Sequence, residues 1–481
     1  MRRSLPTPSA IAAATAMAAL LSACAIVPKM EPPAKPLTAE QAGLQADARS
    51  AELKSDWWTE FKDPQLDALI TRALAESPNL AAARARVAKA GAGAEAAGAA
   101  DKPTFSAESD VTRERLSANG IYPAPLGGNW WTLANAQVGV SYDWDFFGKN
   151  KAELAAALGS KQAAEADVAA ARLMLSTQVT RAYLSLARVL AQQELIDRQV
   201  AEREQTLALV RERVAAGLDN RIELRGAEQP LPDLRRQRVA LDEQAALLRH
   251  QLAALSTQPA GALAGLAPKL PAPLALSAAD DRLGLDLLGR RPDVVAARWR
   301  VEAATQKVGS ARAQYYPNVN LMAFAGLNSL GLDNLMKGSS RQFGIGPSIH
   351  LPLFENGMLD AQLHGAAADT DAAVAAYNAA LLEAVRDASD QLSTLSSVQG
   401  QQREQQELLA NAESTLGIAE SRYSAGLINR LTVLNARFVV LQQQRQALDL
   451  RGLQLDSQVN LMRALGGGWT EARVETQAGT K

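Results

Sequence analysis

Thiols and imidazoles are the side chains most often recruited for covalent, acid-base and metal chemistry, and this chain of 481 residues holds few of either. There is one cysteine, Cys24, and there are three histidines, His250, His350 and His364. No histidine stands at a metal-ligand spacing from another or from the cysteine, so each reads as a bystander and no metal is expected. No GxGxxG, P-loop, HExxH or GxSxG string occurs, which leaves no phosphate cradle, zinc-protease helix or nucleophile elbow. The chain therefore reads as no enzyme, and a secreted hydrolase lacks the residues to build its pocket. A single cysteine excludes an internal disulfide. What remains is the position of the Cys24 thiol, directly behind an apolar leader, where lipidation requires it.

That leader has the layout of a secretory signal: Arg2 and Arg3, an apolar alanine-rich stretch from Ala10 to Leu21, then small residues. LSAC at 21–24 resembles a bacterial lipoprotein box, in which the thiol is acylated and the chain is cut just before it. The bland alternative is an incidental cysteine in an ordinary signal peptide. On the lipoprotein reading, 1–23 is the signal peptide, 24–62 a lipid-anchored N-terminal segment, and the covalent lipid on Cys24 the one added group, with no other cofactor. Acyl chains contribute about 0.8 kcal/mol per buried CH₂, so a multiply acylated Cys24 anchors firmly. Ala25 rather than aspartate follows, which by the enteric sorting rule favours the outer membrane. A formal net charge of −1 and 5% aromatics give no basic field for nucleic acid.

Behind the leader no apolar run approaches the ~20 residues of a spanning helix, so a membrane crossing falls to strands. In 137–146, Val138, Val140, Tyr142, Trp144 and Phe146 alternate with polar or small residues. Farther on, Phe343, Ile345, Ile349, Leu351 and Leu353 alternate likewise, with Pro347 and Pro352 expected to interrupt the ladder. Weaker partners precede them at 104–115 and 318–327, and the first is odd in setting Arg113 and Arg115 on one face with Phe105 and Val111. Alternation over about ten residues suits tilted strands with lipid on one side and water on the other. Four strands of a soluble sheet are the competing reading. Four strands cannot close a barrel, and an open edge in lipid leaves unpaired backbone groups costing several kcal/mol each. Three copies sharing twelve strands are the simplest closure.

The strands recur because the chain is duplicated. Pro78, Arg84, Val87 and Pro103 return as Pro292, Arg298, Val301 and Pro317 at an offset of 214. Gly139, Ser141 and Phe147 return as Gly346, Ser348 and Phe354 at 207, and RVAAGL at 213–218 returns as RYSAGL at 422–427 at 209. Repeat 1 spans 63–257, a linker expected on an equatorial belt spans 258–279, repeat 2 spans 280–466, and 467–481 is a tail. Most of the remainder reads as helix, with uninterrupted stretches at 148–213 and 356–421 of about 100 Å each and shorter ones at 66–100 and 221–257. The first long stretch carries a heptad seam that includes Val168, Leu175, Val179, Ala182, Leu186, Val189, Ile196, Leu207 and Val210, broken by Gln193 and Arg203. Pro230 and Pro232 predict a kink or break at 228–232. A non-conducting, lipid-anchored coiled-coil scaffold accounts for the helices but not for an amphipathic strand before every long one.

WWTEFKDPQLDALITRALAESPNLAAARARV at 57–87, SYDWDFFGKN at 141–150, LLGRRPDVVAARWRVEAA at 287–304 and PLFENG at 352–357 carry a definite resemblance. They resemble the outer membrane efflux family, the TolC-like channels, nearest its OprM or NodT-type lipoprotein branch. The resemblance implies a mainly α chain with four membrane strands per protomer, a trimeric twelve-stranded barrel, and an α-helical coiled-coil barrel continuing it through the periplasm. It implies the exit duct of a tripartite exporter, partnered by a periplasmic adaptor and an inner-membrane pump. Small-molecule efflux is favoured over type I protein secretion. It places adaptor docking at the periplasmic tips, here Gly217 and Leu218, and Gly426 and Leu427, with the gate beside them. Family members often carry carboxylates just past the tip; Glu223 matches one in the first copy, whereas the second has Thr432 and Asn435, which implies a weaker acidic constriction. Arg221 and Arg430 are candidates for locking the closed tip through neighbouring acids, or else are solvated surface charges.

Overall fold

The computed structural model describes residues 27–44, 54–274, 287–352 and 355–471. The leader, Cys24 and Phe354 lie outside the described residues. Four strands form one antiparallel sheet in the order β1-β2-β3-β4, with β1 Thr104–Arg115, β2 Trp130–Trp144, β3 Asn318–Leu330 and β4 Arg341–His350. β2 starts seven residues earlier than the alternation from 137 suggests, because Trp130 to Ala136 find partners in the far half of β1. Pro347 does not interrupt β4: it sits in register opposite Leu321. β4 is an edge strand, where proline is tolerated because one side of the backbone has no ladder to complete. Pro352 falls beyond the strand.

The helices follow the strand ends. α1 Pro64–Glu76 and α2 Pro78–Ala99 precede β1, α3 Lys149–Ala215 follows β2, and α4 Arg221–Glu228 and α5 Pro230–Leu255 return from it. The short α6 Leu287–Arg290, α7 Pro292–Ala313 and, between the strands, α8 Leu332–Leu335 belong to the second copy. There α9 Asn356–Ser424 follows β4 and α10 Arg430–Ala464 returns. The stretch 66–100 is therefore two helices: Ser77, at φ −61° and ψ 121°, leaves the helical region, since the proline after it excludes that conformation. At 228–232 the interruption is confined to Gln229, which keeps helical dihedrals and donates to the Arg225 carbonyl at 3.1 Å. α10, with no proline, runs unbroken for 35 residues.

The backbone divides into two compact units, and each draws on both copies: one contains 87–164 and 297–377 with the sheet, the other 37–86, 165–296 and 378–481. In the helical unit Val179, Ala182, Leu186 and Val189 of the α3 seam are buried with Leu66 and Ile70 of α1, Leu252 of α5 and Leu455 and Val459 of α10. Each such side chain contributes ~1.5–3 kcal/mol on burial. Trp57, Trp58 and Phe61, in a 3₁₀ turn at Trp57–Phe61, close this core. Its polar pin is Tyr183, whose hydroxyl donates to Asp63 Oδ2 at 2.7 Å. Asp63 meanwhile caps α1 by accepting from the Gln65 and Leu66 amides.

In the strand-bearing unit Val27 and Met30 pack against Ala311, Tyr315, Leu359 and Leu363, beside the start of α9. The Ala34 amide then donates to Asp371 Oδ1 at 2.8 Å. The N-terminal segment is thus tied by its backbone to α9.

Burial and Asp63 together push the Tyr183 phenol far up, so it stays a donor at all ordinary pH. Removing that donor in Tyr183→Phe is expected to cost about 1.5–3 kcal/mol, the worth of a hydrogen bond to a carboxylate, as a lowered denaturation midpoint with the helical content unchanged. An unaltered midpoint would mean that Asp63 holds α1 without it.

Candidate functional site

Residues paired across antiparallel strands share a face, so the register sorts the sheet. One face carries Phe105 and Val111 of β1, Val138, Val140, Tyr142 and Trp144 of β2, Leu321, Ala323 and Ala325 of β3, and Phe343, Ile345 and Ile349 of β4. Its large side chains project outward, Phe343 at 83% and Ile345 at 77% exposure. The opposite face carries Glu108, Asp110 and Glu114, then Asn135, Gln137 and Asp143, then Asn320 and Gln342. These groups bond across the strands: Asn135 to Asp110 at 3.1 Å, Gln137 to Glu108 at 3.1 Å, Gln342 to Asn135 at 3.0 Å, and Asn320 to Asp143. Every strand acid lies on this face and no lysine or arginine does. Trp131, Leu133, Met322, Phe324 and Leu330 are its apolar members, and the Phe324 ring lies where a side chain on Gly344 would stand.

At the helix end of the sheet an aromatic collar gathers. Trp144 stacks on Phe146 at 5.5 Å between centroids, Tyr142 lies 6.4 Å from Trp144, and Phe147 stacks on Tyr316 at 4.6 Å. Aromatic rings with one apolar and one wet side favour a membrane-water boundary.

The far ends of α3 and α9 turn in the same way. The Leu218 amide reaches the Arg213 carbonyl at 2.8 Å and the Gly217 amide the Val214 carbonyl at 3.0 Å. In the second copy Leu427 reaches Arg422 and Gly426 reaches Tyr423, both at 2.9 Å. This Schellman pairing needs a left-handed residue, supplied by Gly217 at φ 74° and Gly426 at φ 71°. Asn220 and Asn429 then cap α4 and α10 through their side chains. Leu218 and Leu427 are left 67% and 74% exposed, beside an equally bare Ile222.

The copies differ in bracing. Arg213 grips Asp219 with two bonds of 2.8 and 2.9 Å. At the corresponding place the second copy has Ile428, and Arg422 forms no ion pair among the described residues. Glu223 completes a capping box, its carboxylate accepting from the Asn220 amide at 3.1 Å, while Thr432 donates its amide and hydroxyl to Asn429. Arg221 and Arg430 are exposed and make no ion pair among the described residues.

The side chains that tie one copy to the other stand elsewhere. Arg437 of α10 bridges Glu202 of α3 at 3.5 Å and Glu420 of α9 at 2.7 Å. Arg203, the residue that breaks the heptad seam, lies 3.5 Å from the centre of the Phe438 ring and donates to Asn435 at 3.3 Å. Asn435 is therefore brought to Arg203, and not to Arg221 or Arg430. Arg437 carried no sequence signal, because its partners lie on two other helices; Arg203 did, as a charge in an apolar seam. A further cluster lies in the RRPDV segment. Buried Arg291 binds Asp293 at 2.6 Å, Asp387 at 3.2 Å and the Ala464 carbonyl, and Arg463 joins Asp387 at 2.8 Å. Burial pushes the Asp293 carboxyl up, but Arg291 outweighs it and the net shift is downward.

A duplicated plan of amphipathic strands and long helices is also what comparison with known proteins finds. The model of the outer membrane efflux protein family matches the chain twice, over residues 69–257 and 283–467. The chain belongs to the outer membrane efflux protein family. It is 34% identical over 466 residues to the multidrug resistance outer membrane protein MdtP of Shigella flexneri, covering 95% of each chain. It is 32% identical over 433 residues to the MdtQ protein of Escherichia coli K12, described as a putative multidrug resistance outer membrane protein, covering 86% of this chain and 88% of that one. The crystal structure of VceC from Vibrio cholerae superposes with a TM-score of 0.79 at 34% identity, over 86% of this chain and 99% of that one. The protein is an outer-membrane efflux channel that extends into the periplasm, and it performs no catalysis. Among the described residues no helix is long and apolar enough to cross a membrane.

For the efflux channel, Arg437→Ala is expected to raise closed-state leakage about fivefold, since two half-exposed links together hold ~1 kcal/mol. Arg430→Ala is expected to leave it unchanged, and equal effects in planar-bilayer recordings would refute the contrast.

The brace at the first tip sets a pH limit. Hydrogen bonding to Arg213, together with its charge, holds the Asp219 carboxyl below the usual carboxylate range despite some desolvation. A lowered folded-state value means the brace is intact above about pH 4 and is lost as pH falls through that lowered value. Exchange protection of the Leu218 amide should therefore persist from pH 7 to about pH 4 and decline below; decline already near pH 6 would contradict it.

Proposed function

We propose that three copies of this chain close a twelve-stranded barrel and serve as the exit duct of a tripartite exporter, passing small toxic compounds from an inner-membrane pump and a periplasmic adaptor to the outside. The observation that carries this reading is the sheet: four strands, one face apolar and bare, the other polar and acidic, with β1 and β4 left as open edges. Three such sheets pair edge to edge and leave no unsatisfied backbone in lipid. The polar face then lines water, so cargo crosses without entering the bilayer. The names of MdtP and MdtQ, which speak of multidrug resistance, support small molecules over secreted proteins as cargo.

The duct stores no energy, and coupling belongs to the pump. Its own contributions are a polar path and a gate at the turns around Gly217 and Gly426, where Glu223 in one copy against Thr432 and Asn435 in the other makes a weaker acidic constriction than paired carboxylates, with Arg221 and Arg430 as solvated charges beside it. The exposed Leu218, Leu427 and Ile222 support these turns as the surface that meets the adaptor. Cys24 is acylated and anchors the chain: Val27 follows it by only three positions, a span of at most ~11 Å, and Val27 packs beside the start of α9, which follows β4.

The deciding experiment is the mass and planar-bilayer conductance of the detergent-extracted, acylated protein. A trimer with discrete steps is expected. A monomer, or an assembly that does not conduct, would overturn the duct and leave a lipid-anchored scaffold.

A further inference from the structure

Three arginines stand on the apolar face of the sheet: Arg113 and Arg115 of β1, level with Thr132 and Trp130, and Arg341 of β4, level with Leu327 and through it with Ala136. No acid shares that face. All three are exposed; Arg115 donates to the Gly128 carbonyl at 3.1 Å, and Arg113 and Arg341 make no ion pair among the described residues. The two connections at this end, 116–129 and 331–340, contain one acid, Asp333, and one base, Lys337.

A bare guanidinium on a lipid-facing surface is costly at the bilayer midplane and nearly free near its boundary, so depth decides whether these side chains are a defect or a site. The collar residue Trp144 marks the other boundary. Arg341 lies eight strand positions from it and Arg113 twelve, counted along β2 from Trp144 to Ala136 and to Thr132. With a rise of ~3.4 Å per residue and a tilt of ~40°, those positions stand ~21 and ~31 Å above the collar. They bracket the ~25 Å height of a barrel's apolar band. Arg341 therefore lies just inside, and Arg113 just beyond, the level where hydrocarbon gives way to headgroups, with Arg115 two positions farther out.

We propose that Arg113, Arg115 and Arg341 form a binding site for the phosphate of an outer-leaflet lipid, built at the seam between protomers. This rests on the trimeric reading: β1 and β4 are the free edges, so closure sets Arg341 of one copy on the strand beside Arg113 and Arg115 of the next. A phosphate offers the planar guanidinium forks paired acceptors, and charge-assisted bonds of that kind are about twice as strong as neutral ones. Each seam thus presents cations from two subunits at successive heights, Arg341 lowest and Arg115 highest, along which one anionic headgroup bridges the subunits where the strands end.

The test is native mass spectrometry of the full-length, acylated trimer released from vesicles of phosphatidylcholine containing lipid A. The expected result is lipid A retained up to three per trimer, with retention about tenfold lower in the Arg113→Gln/Arg341→Gln variant and intermediate in Arg113→Lys/Arg341→Lys. Glu114→Gln, on the opposite face, should retain as much as the wild type; all variants should keep trimer mass, and the arginine variants also single-channel conductance. Equal retention by wild type and the glutamine variant, or retention of lipid A no greater than of phosphatidylcholine, would overturn the site while leaving the trimer standing. A wild-type monomer would remove the duct reading and the seam together. Should the glutamine pair fail to assemble, Arg341→Gln alone provides the comparison, with retention below wild type expected and equal retention overturning the site.

Discussion

The outer edges of β1 and β4 carry backbone N–H and C=O groups with no strand partner among the described residues, and in hydrocarbon no water is available to satisfy them. Much of the molecule can be read as a consequence. The faces of the sheet are sorted so that one tolerates lipid and the other water. Pro347 is confined to an edge strand, where a missing donor disturbs one ladder at most. The proposed trimer is the assembly that removes both edges at once, and it turns strand ends into subunit seams.

Duplication supplies the same solution twice, and the two copies have not remained equal. Gly217 and Gly426 build the same turn from the same pair of backbone bonds, because a helix of nearly 70 residues must end in a left-handed residue to reverse so tightly. Around that shared turn the side chains diverge. Arg213 has Asp219 to hold, whereas Arg422 faces a copy with Ile428 instead. The return from the first tip is interrupted at Gln229 before Pro230, and the return from the second is one unbroken helix. One tip is therefore braced within its own copy. The second copy is tied to the first through Arg437 and through Arg203 on Phe438.

Polar groups inside the helical layers serve register more than strength. Tyr183 on Asp63 and Gln193 on Asp242 each join two helices across an apolar seam. Buried Arg291 gathers Asp293, Asp387 and the last carbonyl of α10. A paired buried charge adds little net stability over an apolar side chain, but losing one partner is costly. Such groups hold helices that could otherwise slide along a heptad repeat.

Period is a property of the chain, so the amphipathic strands, the long helices, the duplication and the turns at Gly217 and Gly426 are legible in the residues alone. The sequence also contained two anomalies whose meaning lay elsewhere. Arg203 in an apolar seam became intelligible only with the Phe438 ring beneath it, and Arg113 among apolar neighbours only with the strand register that sets its depth. The early start of β2 and the break at Ser77 were decided by a pairing partner and a neighbouring proline. The ties of Arg437 and Arg291 join residues on helices far apart in the chain. Local propensity contains no term for such contacts, because a charge acquires its partner only when packing brings two helices together, and that choice belongs to the tertiary structure.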